Sequence, residues 1–260
     1  MIRLPSCATS ALPNKAMFRT ENALILREVR FRESDRILTA LTADAGKMTL
    51  AAHGALSKKS KIAAATQLLT YSELTLFEKN GRFAVREGVT KEAFPGLRTD
   101  LKRFALGCYF AECLEQFAAE EQPEPELMQL GLNCLYALSE DLRDSEMIKA
   151  AFELRLMGIE GYAPNEGTCA VCGRADIQEP VFSPSEGQVF CRACRKTGGG
   201  FPLTEASLEA MRHVIHAPAK RMLAFRLSKE DGETLTRVAE SWLLRCSERN
   251  FPTLTYYKNL

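Results

Sequence analysis

Four cysteines in two Cys-x-x-Cys pairs constrain this chain more than any other feature of its sequence. Cys169 and Cys172 form the first pair, and Cys191 and Cys194 form the second after eighteen intervening residues. Two sulfurs at this spacing can bind one cation, and about 15–20 residues between pairs is typical of a four-cysteine zinc site. A structural Zn²⁺ takes a closed tetrahedron of sulfur ligands, with no open position for water or substrate. We therefore predict that all four cysteines bind Zn²⁺ as a structural cofactor.

Two other interpretations of the cysteine pairs remain open. They could be redox or disulfide pairs, or a degenerate site that folds without metal. Five further cysteines have no obvious partner spacing: Cys7, Cys108, Cys113, Cys134 and Cys246. Such cysteines indicate a reducing compartment, so we expect a cytoplasmic protein. We also expect no membrane association, because no stretch approaches the 18 apolar residues of a membrane span and the N-terminus lacks an apolar signal segment.

The charges of the chain are distributed unevenly. Residues 19–103 carry sixteen Lys and Arg against ten Asp and Glu, whereas residues 104–160 carry three against twelve. The whole chain of 260 residues has a formal net charge of only +1. A basic front followed by an acidic middle indicates that different faces meet different partners.

The N-terminal third reads as five short strands. Asp44-Ala45-Gly46 joins two of them, and Asn80-Gly81, the strongest short hairpin signal, joins two others. Five strands within about 75 residues fit a small OB-type barrel better than an open sheet. We assign residues 19–95 to this barrel and residues 1–18 to a loose extension, in which Met17 is an alternative start codon.

After Phe94-Pro95-Gly96 the apolar period changes from two residues to about 3.6, which predicts helices. The expected fold class is α+β and multidomain: an N-terminal OB-fold β-barrel, a central and C-terminal helical bundle, and an inserted four-cysteine, zinc-ribbon-like module. We place the bundle at residues 96–165, the cysteine module at 166–200, and C-terminal helices that pack on the bundle at 201–260.

Nucleic-acid binding is the function that the barrel composition favours. Thirteen of the residues 19–95 are Lys or Arg, and the loop Lys58-Lys59-Ser60-Lys61 places three cations on a flexible segment. Phe31 and Phe83 could stack on bases or belong to the core. His53 could contact a phosphate or satisfy local hydrogen bonds. A solvated surface is the alternative for each single cation.

An enzyme is not supported by the sequence. It has neither a phosphate-cradling Gly-rich loop nor a Gly-x-Ser-x-Gly elbow. His213 and His216 lie three residues apart without a nearby acidic ligand, so surface or core histidines are the better interpretation. We therefore expect a non-enzymatic protein.

Several segments resemble the RecO family of bacterial recombination mediators. They are Glu33-Ser-Asp-Arg-Ile-Leu38, Thr42-Ala-Asp-Ala-Gly-Lys47, His53-Gly-Ala-Leu-Ser-Lys58, and Phe152 to Pro164 followed by Cys169-Ala-Val-Cys172-Gly. The resemblance spans residues 19–260, and the order of barrel, bundle and cysteine module carries it.

The resemblance implies a protein that binds single- and double-stranded DNA, anneals strands and, with RecR, helps RecA replace single-strand-binding protein on gapped DNA. It also implies a nucleoid-associated location and binding of the acidic tail of single-strand-binding protein. The implied DNA-binding residues are Arg30, Arg36, Lys47, Lys58, Lys59 and Lys61. The alternative function is a zinc-stapled adaptor that binds only proteins and uses the barrel as a scaffold.

Overall fold

The computed structural model describes residues 17–195 and 198–260. Over these residues the chain is an α+β protein, with a strand-rich N-terminal part and helices that flank a small second sheet. The predicted loose extension lies outside the described residues up to residue 16. Its last two residues, Met17 and Phe18, instead begin the first strand, because they pair with Glu78 and Phe77 of a neighbouring strand. The predicted boundaries between modules stay predictions.

Five strands build the N-terminal part: β1 (Met17–Phe31), β2 (Asp35–Thr42), β3 (Gly46–Ala52), β4 (Tyr71–Lys79) and β5 (Arg82–Glu92). They form a closed barrel in the order β1-β2-β3-β5-β4. Neighbouring strands are antiparallel except for a short parallel pairing of β3 with β5. Buried residues alternate along β3 and β4, so that Leu50, Leu74 and Leu76 fill the barrel interior. The sequence predicts all five strands, and β1 is longer than predicted.

Both predicted hairpin turns have the required backbone conformation. Asn80 and Gly81 have φ angles of 52° and 70°, the left-handed pair that a two-residue hairpin turn of the primed type requires. Gly46 has a φ of 60°, and a Cβ atom there would lie 2.4 Å from the carbonyl oxygen of Ala119. The turn between β2 and β3 therefore touches the chain that follows the first helix.

The described chain contains six α-helices: α1 (Leu101–Phe117), α2 (Pro125–Ser139), α3 (Ser145–Ile159), α4 (Glu205–His216), α5 (Lys229–Ser247) and α6 (Pro252–Lys258). Asp144 caps α3 by accepting hydrogen bonds from the N–H groups of Glu146 and Met147. None of the helices in the described ranges is both long and apolar enough to span a membrane.

The second sheet holds the cysteines and packs on the later helices. Its strands are β6 (Pro180–Ser183), β7 (Gln188–Cys191) and β8 (Phe201–Pro202), in the order β7-β6-β8. Phe182 and Val189 join Leu154, Val214 and Leu235 in one buried core shared with α3, α4 and α5. The cysteine module is thus attached to the helices.

Backbone hydrogen bonds fasten the barrel to the helical part. The N–H of Lys47 donates to the carbonyl of Ala119 at 2.8 Å, and that of Glu124 donates to Ala43 at 2.8 Å. Leu24 and Leu41 of the barrel also belong to the main helical core. The β2–β3 turn is therefore a polar junction between the two parts.

Candidate functional site

The two cysteine pairs meet in one cluster. The Sγ atoms of Cys169, Cys172, Cys191 and Cys194 all lie within 4.8 Å of one another. Sulfurs bound tetrahedrally to Zn²⁺ at about 2.3 Å are about 3.8 Å apart, and the Sγ atoms of Cys172 and Cys191 are separated by 3.9 Å. This close contact joins sulfurs of different pairs, and all four are free thiols. The arrangement is therefore compatible with one shared metal ion and does not favour two separate disulfide pairs.

Tight turns bring each pair of sulfurs together. In the first pair, Gly173 donates its N–H to the carbonyl of Cys169 at 2.9 Å and adopts a φ of 71°, which favours glycine. In the second pair, Cys194 donates to the carbonyl of Cys191 at 3.0 Å. The local sequence thus shapes both turns, as the glycine after the first pair indicates.

Backbone N–H groups prepare one sulfur for a cation. Burial raises the pKa of Cys169, but hydrogen bonds from the N–H groups of Cys172, Cys191 and Val171 lower this pKa more, to about 6. The N–H of Cys191 lies 3.2 Å from the Cys169 sulfur. Since the thiolate is the form that binds metals, Cys169 is prepared as a ligand at neutral pH.

A concave surface of about 700 Å³ lies on the outside of the barrel, between the β1–β2 turn and the β4–β5 turn. We name it the barrel groove. Its lining residues are Phe31, Asp35, Arg36, Ile37, Ala51, His53, Phe77, Lys79, Asn80, Arg82, Phe83, Ala84 and Arg86. The charged members are one Asp, three Arg and one Lys, so the groove is basic.

Aromatic rings and arginines are interleaved in the barrel groove. Phe31 is 46% exposed, and Phe77 and Phe83 are half-buried. The guanidinium carbon of Arg86 lies 4.8 Å from the centroid of the Phe77 ring, which holds this cation over the aromatic face. Exposed rings can stack on nucleobases while arginines neutralise phosphates. Phe31 and Phe83, the two predicted stacking candidates, therefore lie in one groove.

The six predicted DNA-binding residues fall into separate places. Lys58, Lys59 and Lys61 are exposed on the β3–β4 loop, which Ala55 and Ile62 anchor in the barrel core. This loop folds into consecutive turns, such as Ser57 N to Gly54 O at 3.0 Å. All three lysines are therefore accessible to a ligand.

Arg30 and Arg36 are neighbours across β1 and β2, but their surroundings differ. Arg30 is exposed. Arg36 lines the barrel groove with its Nη1 atom 3.2 Å from the Glu28 carboxylate and 3.3 Å from the Thr66 carbonyl oxygen. Part of the positive charge of Arg36 is therefore already compensated by the Glu28 carboxylate within the protein.

Lys47 lies apart from the other five candidates. Its Nζ atom donates to the carbonyl of Glu115 near the end of α1 at 3.0 Å. It lines a different cleft, of about 800 Å³, together with Arg27, Glu112 and Arg249. The structure therefore gives Lys47 a bond that fastens the barrel to α1.

Lys79, Arg82 and Arg86 of the barrel groove are absent from the six predicted residues. Lys79 ends β4 and Arg82 begins β5, on either side of the Asn80-Gly81 turn, and Arg86 lies further along β5. That turn signal places Lys79 and Arg82 together at a hairpin tip. Only barrel closure brings this tip opposite Phe31.

A smaller groove of about 410 Å³ lies on the helical part and includes Tyr136 and Leu142, which are 49% and 56% exposed. Arg143 and Lys220 also line it. We name it the α2 groove. It therefore combines exposed apolar side chains with two cations.

Comparison with known proteins matches almost the whole described chain. The family model "Recombination protein O N terminal" covers residues 17–94, and "Recombination protein O C terminal" covers residues 98–255. The DNA repair protein RecO of Acetivibrio thermocellus is 30% identical over 240 residues, which are 92% of this chain and 96% of that protein. The DNA repair protein RecO of Desulforudis audaxviator is 32% identical over 244 residues, 94% and 97% of the two chains. The chain therefore belongs to the Recombination protein O (RecO) family.

Proposed function

We propose that this protein is a DNA-binding recombination mediator in DNA repair, and that the barrel groove holds a DNA strand. The observation that carries the proposal is the interleaving of Phe31, Phe77 and Phe83 with arginines in one basic groove. Stacking on aromatic rings binds bases of any sequence, and arginines neutralise the phosphates between them. The name shared by the relatives, DNA repair protein RecO, supports a repair role.

The barrel topology supports the same proposal. We infer an OB fold from the closed strand order β1-β2-β3-β5-β4. OB folds bind oligonucleotides on the face of strands 2 and 3 and on the loops that follow strands 1 and 4. The barrel groove lies between the turns that follow β1 and β4, which is the corresponding place.

Cations outside the groove extend the proposed DNA path. Arg30, Lys58, Lys59 and Lys61 are exposed and can meet phosphates on either side of the groove. Arg36 lies inside the barrel groove, where its ion pair with Glu28 leaves it a weaker phosphate contact. Lys47 contributes least, because its ammonium group already bonds to a helix carbonyl.

The finer role follows from the family resemblance. We propose that the protein binds single- and double-stranded DNA, anneals complementary strands, and acts with RecR to help RecA replace single-strand-binding protein. We propose that it does so without enzymatic activity, on chromosomal DNA in the cytoplasm. Two strands that anneal repel each other through their phosphates, and the basic barrel surface can neutralise these charges.

The α2 groove is our proposed site for the tail of single-strand-binding protein. An acidic peptide that ends in an apolar residue needs a cation beside an apolar surface. Arg143 and Lys220 supply the cations, while Tyr136 and Leu142 supply exposed apolar area. The adaptor alternative uses this same groove but leaves the barrel without a ligand.

We propose that the cysteine cluster holds Zn²⁺ in a structural role. The free thiols and the sulfur spacing fit this ion, and four sulfurs complete its coordination. When bound, the ion would supply a cross-link between the turn after Cys169 and the end of β7. Cys169 and Cys191 are buried against the helices, so the cross-link would also hold the sheet in place.

Binding to rhodamine-labelled oligonucleotides across a salt series tests the mediator against the adaptor. For the mediator we expect affinity to fall steeply as salt rises, because Lys and Arg release counterions from phosphate. Absence of binding at low salt, with the α2 groove still binding an acidic tail peptide, would leave the adaptor as the function.

A further inference from the structure

We propose that His53 is a phosphate contact in the barrel groove that works only when its imidazole is protonated, so that DNA binding takes up a proton. The proposal rests on the proposed function, since it places a DNA strand in the groove. It goes further by naming one contact and its chemistry. It also predicts that the affinity for DNA depends on pH near neutrality.

Asp35 fixes the orientation of the His53 ring. The Nδ1 atom of His53 lies 2.9 Å from Oδ2 of Asp35, and the other carboxylate oxygen, Oδ1, accepts the N–H of Gly54 at 2.8 Å. His53 directly follows β3, and Asp35 begins β2. The two strands are paired in the barrel, so both ends of the contact sit on one framework.

The carboxylate determines which ring nitrogen carries the proton. The hydrogen bond from the N–H of Gly54 lowers the pKa of Asp35, and the bond with His53 lowers it further, so Asp35 is ionised at neutral pH. An ionised carboxylate only accepts hydrogen bonds, so Nδ1 of His53 must be the donor. In the neutral ring, Nε2 is then left as an acceptor.

This tautomer makes the contact with DNA conditional. A phosphate oxygen is an acceptor, so it gains no hydrogen bond from a neutral ring whose free nitrogen also accepts. When the ring takes up a proton, Nε2 becomes a donor with a positive charge, and it can form a charge-assisted bond to phosphate. The side chain of His53 is 60% exposed and lines the groove, so a strand can reach it.

The charges around His53 favour a phosphate at this position. The groove brings Arg36 of β2, Lys79 of β4, and Arg82 and Arg86 of β5 to the same surface, with Asp35 as its one acidic lining residue. Arg32 of the β1–β2 turn also acts on Asp35. A phosphate bound among these cations favours a positive charge on the imidazole, which couples DNA binding to proton uptake.

The test measures the affinity of the full-length protein for oligothymidylate at constant ionic strength between pH 8 and pH 6. Thymine does not titrate in this range, and rhodamine is a suitable label because its fluorescence is insensitive to pH. We expect the dissociation constant of the wild type to fall by about three- to tenfold as pH decreases, because a protonated imidazole adds a charged donor for phosphate. We expect His53→Gln, which cannot be protonated, to remove this dependence.

Two variants separate this chemistry from other effects. His216→Gln is the matched control, because His216 lies on α4 and contacts Glu166, and it should keep the wild-type pH dependence. Asp35→Asn can keep the bond from Gly54 through its carbonyl while its amide donates to Nδ1. The neutral ring then carries its proton on Nε2 and can already donate to phosphate. This variant should bind more tightly than the wild type at pH 8 and show a smaller pH dependence.

The possible outcomes are distinct. If His53→Gln keeps the pH dependence of the wild type, the proposed contact is wrong while DNA binding in the groove stands. If the dependence is lost only in His53→Gln and reduced in Asp35→Asn, the contact is supported. If no variant binds DNA at any pH, the proposed function fails and this contact fails with it.

Discussion

Lys149 lies one helical turn before Glu153 on α3, and its Nζ atom is 2.9 Å from Oε1 of Glu153, with side chains that are 1% and 0% exposed. The same Nζ atom is 2.9 Å from Glu240 of α5. Tyr109 of α1 donates its hydroxyl to Glu153 at 2.7 Å. Lys149 therefore pairs with two carboxylates, and the bonds among these four side chains connect α1, α3 and α5.

We expect Lys149→Met to lower the free energy of unfolding by about 3–5 kcal/mol, because it leaves the buried Glu153 without its cation. Urea unfolding followed by circular dichroism measures this change. Lys258→Met is the control: Lys258 pairs with Glu240 at 2.6 Å but is 55% exposed, so its loss should cost about 0–1 kcal/mol. Equal losses in the two variants would contradict the prediction.

Acid should weaken the network through Glu240. Burial raises the pKa of Glu240, but Lys149 and Lys258 lower it more, so the folded-state pKa lies below the ordinary value. The stabilisation is therefore present above the unfolded-state pKa, about 4.3, and is lost as the pH falls through the folded-state pKa. We expect Glu240→Gln to be less stable than the wild type at pH 7, with a difference that shrinks towards pH 3. A difference that stays constant with pH in unfolding titrations would count against this assignment.

Metal content tests the cysteine cluster. We expect about one zinc per chain in protein purified under reducing conditions, and a lower melting temperature after chelation, because a bound structural metal stabilises the folded state. Cys172→Ser removes one proposed ligand and should reduce the zinc content sharply. Cys246→Ser, outside the cluster, should leave it unchanged. Zinc well below one per chain in the reduced wild type would oppose the proposed cofactor.

Gly187 lies where the cysteine module packs closely against α5. It has a φ of 65°, and a Cβ atom there would lie 2.4 Å from the Trp242 ring. We expect Gly187→Ala to destabilise the protein by about 1–3 kcal/mol and to shift the fluorescence of Trp242, the single tryptophan. Gly167→Ala is the matched control, since nothing lies within 4 Å of its added Cβ. Identical spectra and stabilities for both variants would refute the packing argument.

The barrel groove predicts which arginines matter for DNA. We expect Arg82→Glu together with Arg86→Glu to weaken oligonucleotide binding at least tenfold and to reduce the slope of log affinity against log salt by about 1 per lost phosphate contact. The triple change of Lys58, Lys59 and Lys61 to Glu should also weaken binding without unfolding. Arg226→Glu, an exposed change on the helical side, is the control. If the control weakened binding as much as the groove variant, the barrel groove would not be the DNA-binding site.

Local signals explain what could be predicted from sequence. Each Cys-x-x-Cys pair forms a turn from neighbouring residues, and Asn80-Gly81 determines a hairpin by its own backbone preferences. These features depend little on the rest of the fold. The four-cysteine cluster was therefore predictable from the sequence, and so were the five strands.

The barrel groove and the role of Lys47 depend on distant contacts. Phe31 and Arg82 become neighbours only when β3 pairs with β5 and closes the barrel. Lys47 is a basic residue in a basic segment, and only the position of α1 shows that its charge meets the Glu115 carbonyl. Composition could identify a basic surface but could not separate its ligand-binding cations from its structural ones.

The bond between Lys47 and Ala119 has a consequence for the two proposed ligands, the DNA strand and the acidic peptide. Together with the bond from Glu124 to Ala43, it joins the β2–β3 turn to the chain between α1 and α2 through paired backbone bonds. A strand in the barrel groove and a peptide in the α2 groove would therefore be held at a set distance and orientation. The protein would then act as a spacer. The distance between its two grooves would set how far from the bound DNA segment the protein that carries the acidic tail can sit.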